Sequence, residues 1–312
     1  MTKTSLIFDC DPGVDDAIAL FLAFAARDEV DLLGVTTVAG NVAAALTARN
    51  ACILREIAQR EDVPVAAGCE RPMVRAPIDA GHFHGQTGLG DLPISTPQKG
   101  VEAIHGVDFI INAVMSRPSD TVTVAVTGPM TNLAMAMVKE PRLSRRLARI
   151  IAMGGARSEG GNITASAEYN IYADPHAAQV VAESGTPLVM MGLDVTHQVR
   201  AAARHIDAIA AIGGPVSKAC VNLFGFMDRT EKALASGGDA PQHDLCPMAY
   251  LLAPTLFTLR PCRMEVETSS PLTSGHTAVD FRHRDSPQPH IKWAISADAD
   301  GIFALLTDHL SR

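Results

Sequence analysis

At 312 residues the chain is long enough to bury a large core, and 47% hydrophobic against 19% charged residues marks it as globular rather than disordered. A formal charge of −8 with no basic run argues against nucleic acid or an anionic membrane as partner, and no apolar run is long enough to span a bilayer. The six cysteines (Cys10, Cys52, Cys69, Cys220, Cys246 and Cys262) show no C-x-x-C pair or zinc-like spacing, so they read as reduced and mostly buried.

The N-terminus, MTKTSLIFD, enters a strand directly and has no signal-peptide core, so a cytoplasmic location is expected. Leu6–Asp9 reads as a short strand and Val14–Ala26 as a helix. Leu32–Val38 is a β-branched run suited to a strand buried on both faces. Helix 43–58 and strand 63–67 follow, then a Gly- and Pro-rich stretch, 68–100, of a length that usually carries function or disorder. Next come helix 107–115, strand 121–127, helix 131–138 and strand 149–153, which ends in Gly154-Gly155. A second Gly-rich loop, 156–170, leads to helix 175–183, strand 187–191 and a loop through Asp194. Residues 205–252 read as mostly helical, with a flexible break at 236–239. The tail carries strand-like pieces at MEVE, TAVDF and IKWAI before a last helix, 298–310. This alternation predicts an α/β fold with one doubly wound, mainly parallel sheet flanked by helices. No composition break divides it, so a single domain over 1–312 is expected.

The stretch LIFDCDPGVDDAIA puts Asp9, Asp11, Asp15 and Asp16 within eight residues, where a strand ends and a helix begins. Taken alone, DPGVDD reads as a well-capped helix, because acids are favoured in a first turn. Close like charges nevertheless repel, and a bound cation would relieve them far more than a helix dipole does. Ligands of doubly wound sheets bind beyond the carboxyl ends of the strands. Those ends carry Asp11, Gly40-Asn41, Thr127-Gly128-Pro129, Gly154-Gly155 with Asn162, Glu168 and Asn170 beyond, and Asp194. Such a rim suits a hydroxyl-rich ligand such as a sugar, and lacks the Lys, Arg or P-loop of a phosphate site. Near the C-terminus, His243-Asp244 opens a helix. Asp244 could complete an oxygen-ligand set or simply cap that helix. Spacing does not decide whether Asp15 or Asp16 would be the base.

Taken in order, DCDPGVDDA, TTVAGN, TGPMTNLA, MGGA, GN…AEYNIYADP, GLDVTH and the late HD pair resemble the inosine–uridine-preferring nucleoside hydrolase family, over nearly the whole chain. That resemblance implies Ca²⁺ held by Asp11, Asp16, the Thr127 main-chain carbonyl and Asp244, and Asp15 as general base on a metal-bound water. Asn41, Asn162, Glu168 and Asn170 would bind the ribose hydroxyls, with Met153 under the ring. His243 would be the general acid, and His84 would lie on the leaving-group side. It implies hydrolysis of ribonucleosides to base and ribose in nucleoside salvage, by a homodimer or homotetramer. His82 reads as a bystander and His197 as structural. Gln86, Thr87 and Leu245 depart from the usual HGESG and HDPC patterns. Met227 and Asp228 fall where family members contact the base. Phe224 and Phe226 could stack on it or pack in the core.

Competing classes fit less well. A phosphatase with D-x-D after its first strand would match Asp9-Cys10-Asp11, but Gly13 stands where such enzymes prefer Thr or Val. An EF-hand is excluded by Pro12 and Gly13 and by the preceding strand. A non-catalytic calcium-dependent nucleoside binder on the same fold would not need to keep Asp15 and His243.

Overall fold

The structure, a computed structural model, describes residues 3–233, 239–282 and 290–312. Residues 236–238 of the expected break therefore lie outside the described residues. In chain order the elements are β1 (Thr4–Cys10), α1 (Val14–Ala25), β2 (Val30–Thr37), α2 (Ala44–Ile57), β3 (Val65–Ala67), α3 (Gly81–His84) and α4 (Gly106–Met115). They continue with β4 (Val122–Val126), α5 (Thr131–Lys139), β5 (Leu147–Met153), α6 (Tyr169–Ala173), α7 (Pro175–Ala182), β6 (Leu188–Met191) and α8 (Leu193–Thr196). The last are α9 (Ala203–Ile212), α10 (Gly214–Ala233), α11 (Leu245–Leu252), β7 (Phe257–Val266), β8 (Thr277–Asp280), β9 (Ile291–Ala297) and α12 (Ala299–Ser311).

The strands form one sheet in the order β3-β2-β1-β4-β5-β6-β9-β7-β8. All neighbours from β3 to β9 are parallel, and β7 runs antiparallel to both β9 and β8. The chain winds outward from β1 through β2 to β3, then returns to β4 on the other side of β1. The winding reverses between β1 and β4, which opens a crevice at their carboxyl ends.

Strand side chains alternate between two apolar layers. Leu6, Phe8 and Cys10 face the layer built with α1, α2, α10, α11 and α12, while Ile7 faces the layer of α4, α5 and α7. Helix α1 is buried from Val14 to Phe24, because α2, α10, α11 and α12 all pack around it. A helix apolar on every side is stable only when enclosed in this way.

Two expectations need correction. The tail strand begins at Phe257, well before MEVE. Pro261 disguised it, yet the ladder with β9 runs through it, Pro261 pairing with Lys292 between Arg260–Trp293 and Cys262–Ile291. The supposed loops at 68–100, 156–170 and after Met191 also hold the short helices α3, α6 and α8.

Candidate active site

The crevice is built first by the turn between β1 and α1. Asp16, at the third position of α1, accepts the Gly13 amide at 2.9 Å through Oδ2 and the Thr127 hydroxyl at 2.7 Å through Oδ1. Asn41 ties the second loop to this turn. Its amide donates to Asp11 Oδ2 at 2.7 Å, and its Nδ2 donates to Asp16 Oδ2 at 3.0 Å and to the Asp11 carbonyl at 3.1 Å. Glycine is required here by space. A Cβ at Gly40 would stand 2.0 Å from Asp11 Oδ2, one at Gly128 2.6 Å from Asp11 Oδ1, and one at Gly13 2.4 Å from His84 Nδ1.

The opposite wall comes from the loop after β5. Glu168 caps α6 and accepts three backbone amides: Asn170 at 2.9 Å, Gly155 at 2.9 Å and Ile171 at 3.2 Å. Asn170 Nδ2 donates to the Thr127 carbonyl at 2.7 Å, and one lone pair of that oxygen remains for another partner. Asn162 accepts the Tyr169 amide at 2.9 Å. The Tyr169 hydroxyl donates to the Gly40 carbonyl at 2.7 Å and so joins the two walls.

Two histidines close the mouth. The Val14 amide donates to His84 Nδ1 at 3.2 Å, and Asp15 Oδ1 lies 3.9 Å from the same nitrogen. His243 Nδ1 is 2.8 Å from the Thr196 hydroxyl, and its ring meets His197 edge-on at 5.7 Å. Burial pushes both His84 and His243 down to about 3, so both are neutral at ordinary pH.

Between these walls lies a cavity of about 360 Å³. Asp15, Asn41, His84, Thr127, Met153, Asn162, Glu168, Asn170, His243 and Asp244 all line it, while Asp11 and Asp16 sit behind Asn41 and Thr127. Asp244 stands at the N-cap of α11, yet its side chain makes no capping bond. It faces the other acids instead: one oxygen each of Asp15, Asp16 and Asp244 lie within 4.8 Å of one another.

Burial raises all four site aspartates, and repulsion by neighbouring acids adds to it at Asp11, Asp15 and Asp244: Asp15 goes to about 7, Asp16 upward, and Asp11 and Asp244 well upward. Asp11 Oδ1 and Asp15 Oδ1 are buried with no hydrogen-bond partner among the described residues. Clustered acids with unanswered oxygens fit a hard divalent cation, which oxygen donors alone can hold.

A family model described as inosine-uridine preferring nucleoside hydrolase matches residues 6–304. The chain belongs to that family. Among relatives of this nucleoside hydrolase, the pyrimidine-specific ribonucleoside hydrolase RihA of Enterobacter sp. (strain 638) is 39% identical over 308 residues, covering 98% of this chain and 97% of the relative. The inosine-uridine preferring nucleoside hydrolase of Crithidia fasciculata is 36% identical over 308 residues, with the same coverage of 98% and 97%. The solved structure of a purine-preferring ribonucleoside hydrolase from Gardnerella vaginalis superposes with a TM-score of 0.92 at 30% identity, over 98% of each chain. The enzyme is thus an N-ribosyl hydrolase of the glycosidase class, from a metal-dependent family.

Several wall residues of this nucleoside hydrolase were not legible beforehand. His82 and His197, read as bystander and structural, both line the cavity, together with Phe83, Ile163, Arg200, Glu231 and Pro241. Met227 is buried against Gln242 and Asp228 pairs with Lys232 at 2.7 Å, so neither reaches the wall; Glu231, one turn beyond Met227 on α10, does. Phe224 packs in the core beside Phe303, and Phe226 covers Gly90.

Proposed function

We propose that this enzyme hydrolyses the N-glycosidic bond of ribonucleosides with Asp15 as general base, beside a calcium ion held by Asp11, Asp16, the Thr127 carbonyl and Asp244. The observation that carries this reading is Asp15 Oδ1, buried on the cavity wall without a partner and beside Asp16 and Asp244. A bound cation would supply charge to hold the carboxylates together and Lewis acidity toward water. Asp15 accepts the proton of the attacking water, and a carboxylate raised toward 7 is well matched to that task.

Asn41, Asn162, Glu168 and Asn170 would bind the ribose hydroxyls, with Met153 beneath the ring. Glu168 suits this role because its three backbone amides fix it while its remaining lone pairs face the cavity. Fixed hydrogen bonds of this kind distort a sugar toward an oxocarbenium-like transition state. His243 and His84 would then stand on the leaving-group side, and His82, Phe83, Arg200 and Glu231 around the base. The neutral state of His243 supports a donor that hydrogen-bonds the departing base rather than a strong acid. A single domain over 1–312, a cytoplasmic setting, a role in salvage, and a homodimer or homotetramer complete the proposal on the strength of family membership. No described helix is long and apolar enough to cross a membrane.

The test incubates the purified protein with inosine, adenosine, guanosine, uridine and cytidine, and measures free ribose with and without a chelator. Release from at least one nucleoside, lost on chelation and restored by calcium, is expected. No ribose from any nucleoside, alongside phosphate release from a phosphomonoester, would overturn the reading.

A further inference from the structure

Thr196 is fully buried at the end of α8 and takes no place on the cavity wall. Its amide is spent on the Gly192 carbonyl at 3.1 Å, and among the described residues its hydroxyl has one partner, His243 Nδ1 at 2.8 Å. The two residues lie on adjoining backbones. The segment carrying His243 is pinned to the one following α8 by Gln242 N to the Val199 carbonyl at 2.8 Å and Ala201 N to the Ala240 carbonyl at 3.1 Å. A hydroxyl always has a proton to place, and with no other acceptor in reach the Thr196 proton goes to Nδ1. The proton of the neutral imidazole is then on Nε2, the nitrogen turned away from Thr196, and Nε2 has no partner among the described residues. His197 meets the His243 ring edge-on at 5.7 Å and is itself held by Glu159 at 3.1 Å, so the ring is held on a second side. At His84 the Val14 amide imposes the same tautomer, but there the main chain does it.

We infer that Thr196 is a positioning residue: its hydroxyl fixes the His243 ring and tautomer so that Nε2–H points into the cavity as hydrogen-bond donor to the departing nucleobase. This rests on the nucleoside hydrolysis proposed above. As the bond between the ribose anomeric carbon and the base breaks, its electron pair collects on the base, and the Nε2–H hydrogen bond stabilises that charge. The water gives its hydroxide to the anomeric carbon and its proton to Asp15. The base takes up a proton from solvent on release, and Asp15 returns one to solvent, so protons balance over the cycle.

The test compares two ribosides with calcium saturating: a nucleoside hydrolysed by the wild type, and 4-nitrophenyl β-riboside, whose nitrophenolate departs without a donor. Thr196→Val should lower kcat on the nucleoside by about 10²-fold with KM nearly unchanged, and lower kcat on the nitrophenyl riboside by less than about 3-fold. Thr196→Ser, which keeps the hydroxyl, should restore nucleoside turnover to within about 3-fold of the wild type. Equal losses on both substrates, or no loss on either, would overturn the positioning role while leaving the hydrolase intact. A wild type inactive on every riboside would overturn the hydrolase reading and this inference with it.

Discussion

Asp9, on β1, and Asp11, just past its end, lie two residues apart, both fully buried, and are treated in opposite ways. Asp9 points into the α4–α5–α7 layer. There its Oδ1 accepts the Thr36 hydroxyl at 2.5 Å and Asn132 Nδ2 at 2.8 Å. Asn132 in turn binds the Thr37 carbonyl at 3.0 Å and the Cys69 amide at 2.8 Å, so Asp9 ties β1 to β2, α5 and the loop after β3. Burial pushes Asp9 up to about 7 even though the donors on Asn132 and Thr36 pull the other way. Asp11, beyond the end of β1, is raised by burial and by Asp16 and Asp15 together. A single proton can answer the first environment. The second, where four acids share one pocket, calls for a multivalent cation. Buried acids are therefore not interchangeable: what sets their chemistry is whether donors or other acids surround them.

The largest expected effect separates the two regions by activity. Asp15→Ala should lower ribose release about 10²–10⁴-fold, whereas Asp9→Asn, whose amide oxygen can still accept from Thr36 and Asn132, should stay within about 3-fold. Comparable losses in both variants would erase the distinction. Calcium titration by calorimetry sharpens it: binding should vanish in Asp11→Ala and Asp16→Ala and persist in Asp9→Asn.

Next in size is the pH dependence of stability in chelator. Asp9 and Asp15 have folded values raised from 3.8 to about 7. Their contribution to stability is therefore fully present below about pH 4 and is lost as pH rises through 7. Calcium should raise the melting temperature strongly at pH 8, where the cluster is ionised, and little at pH 5. Asp9→Asn should flatten the part of the slope that calcium leaves unchanged. A calcium shift equal at both pH values would contradict the assignment.

The smallest effects come from paired glycine substitutions. Gly128→Ala sets a Cβ 2.6 Å from Asp11 Oδ1, and Gly68→Ala sets one 2.2 Å from Asn132 Oδ1. Each should cost about 1–3 kcal/mol in denaturant unfolding. Only the first should also weaken calcium binding, by about 10-fold or more, since it displaces a proposed ligand.

Much of this was written locally. The acid-rich turn, the alternation from Leu6 to Met191 and the Gly-, Asn- and Asp-bearing strand ends follow from periods of 2 and 3.6 and from turn chemistry. Parallel topology then placed those strand ends on one rim. The antiparallel extension was hidden, because Pro261 looks like a strand breaker, yet it sits inside the ladder with β9.

The sequence by itself determined which residues could do chemistry and the order in which the strand ends deliver them. Only the tertiary structure decided which of them meet. It turned Asp244 from a helix cap toward Asp15 and Asp16, put His82, His197 and Glu231 on the cavity wall, and joined two loops through Tyr169 and Gly40. It also divided the four acids of the opening stretch, one among donors and three beside a fourth acid more than 200 residues away. The reason is physical: ionisation and ligation depend on desolvation and on neighbours within a few ångströms, and those neighbours come from parts of the chain that have no local pattern in common.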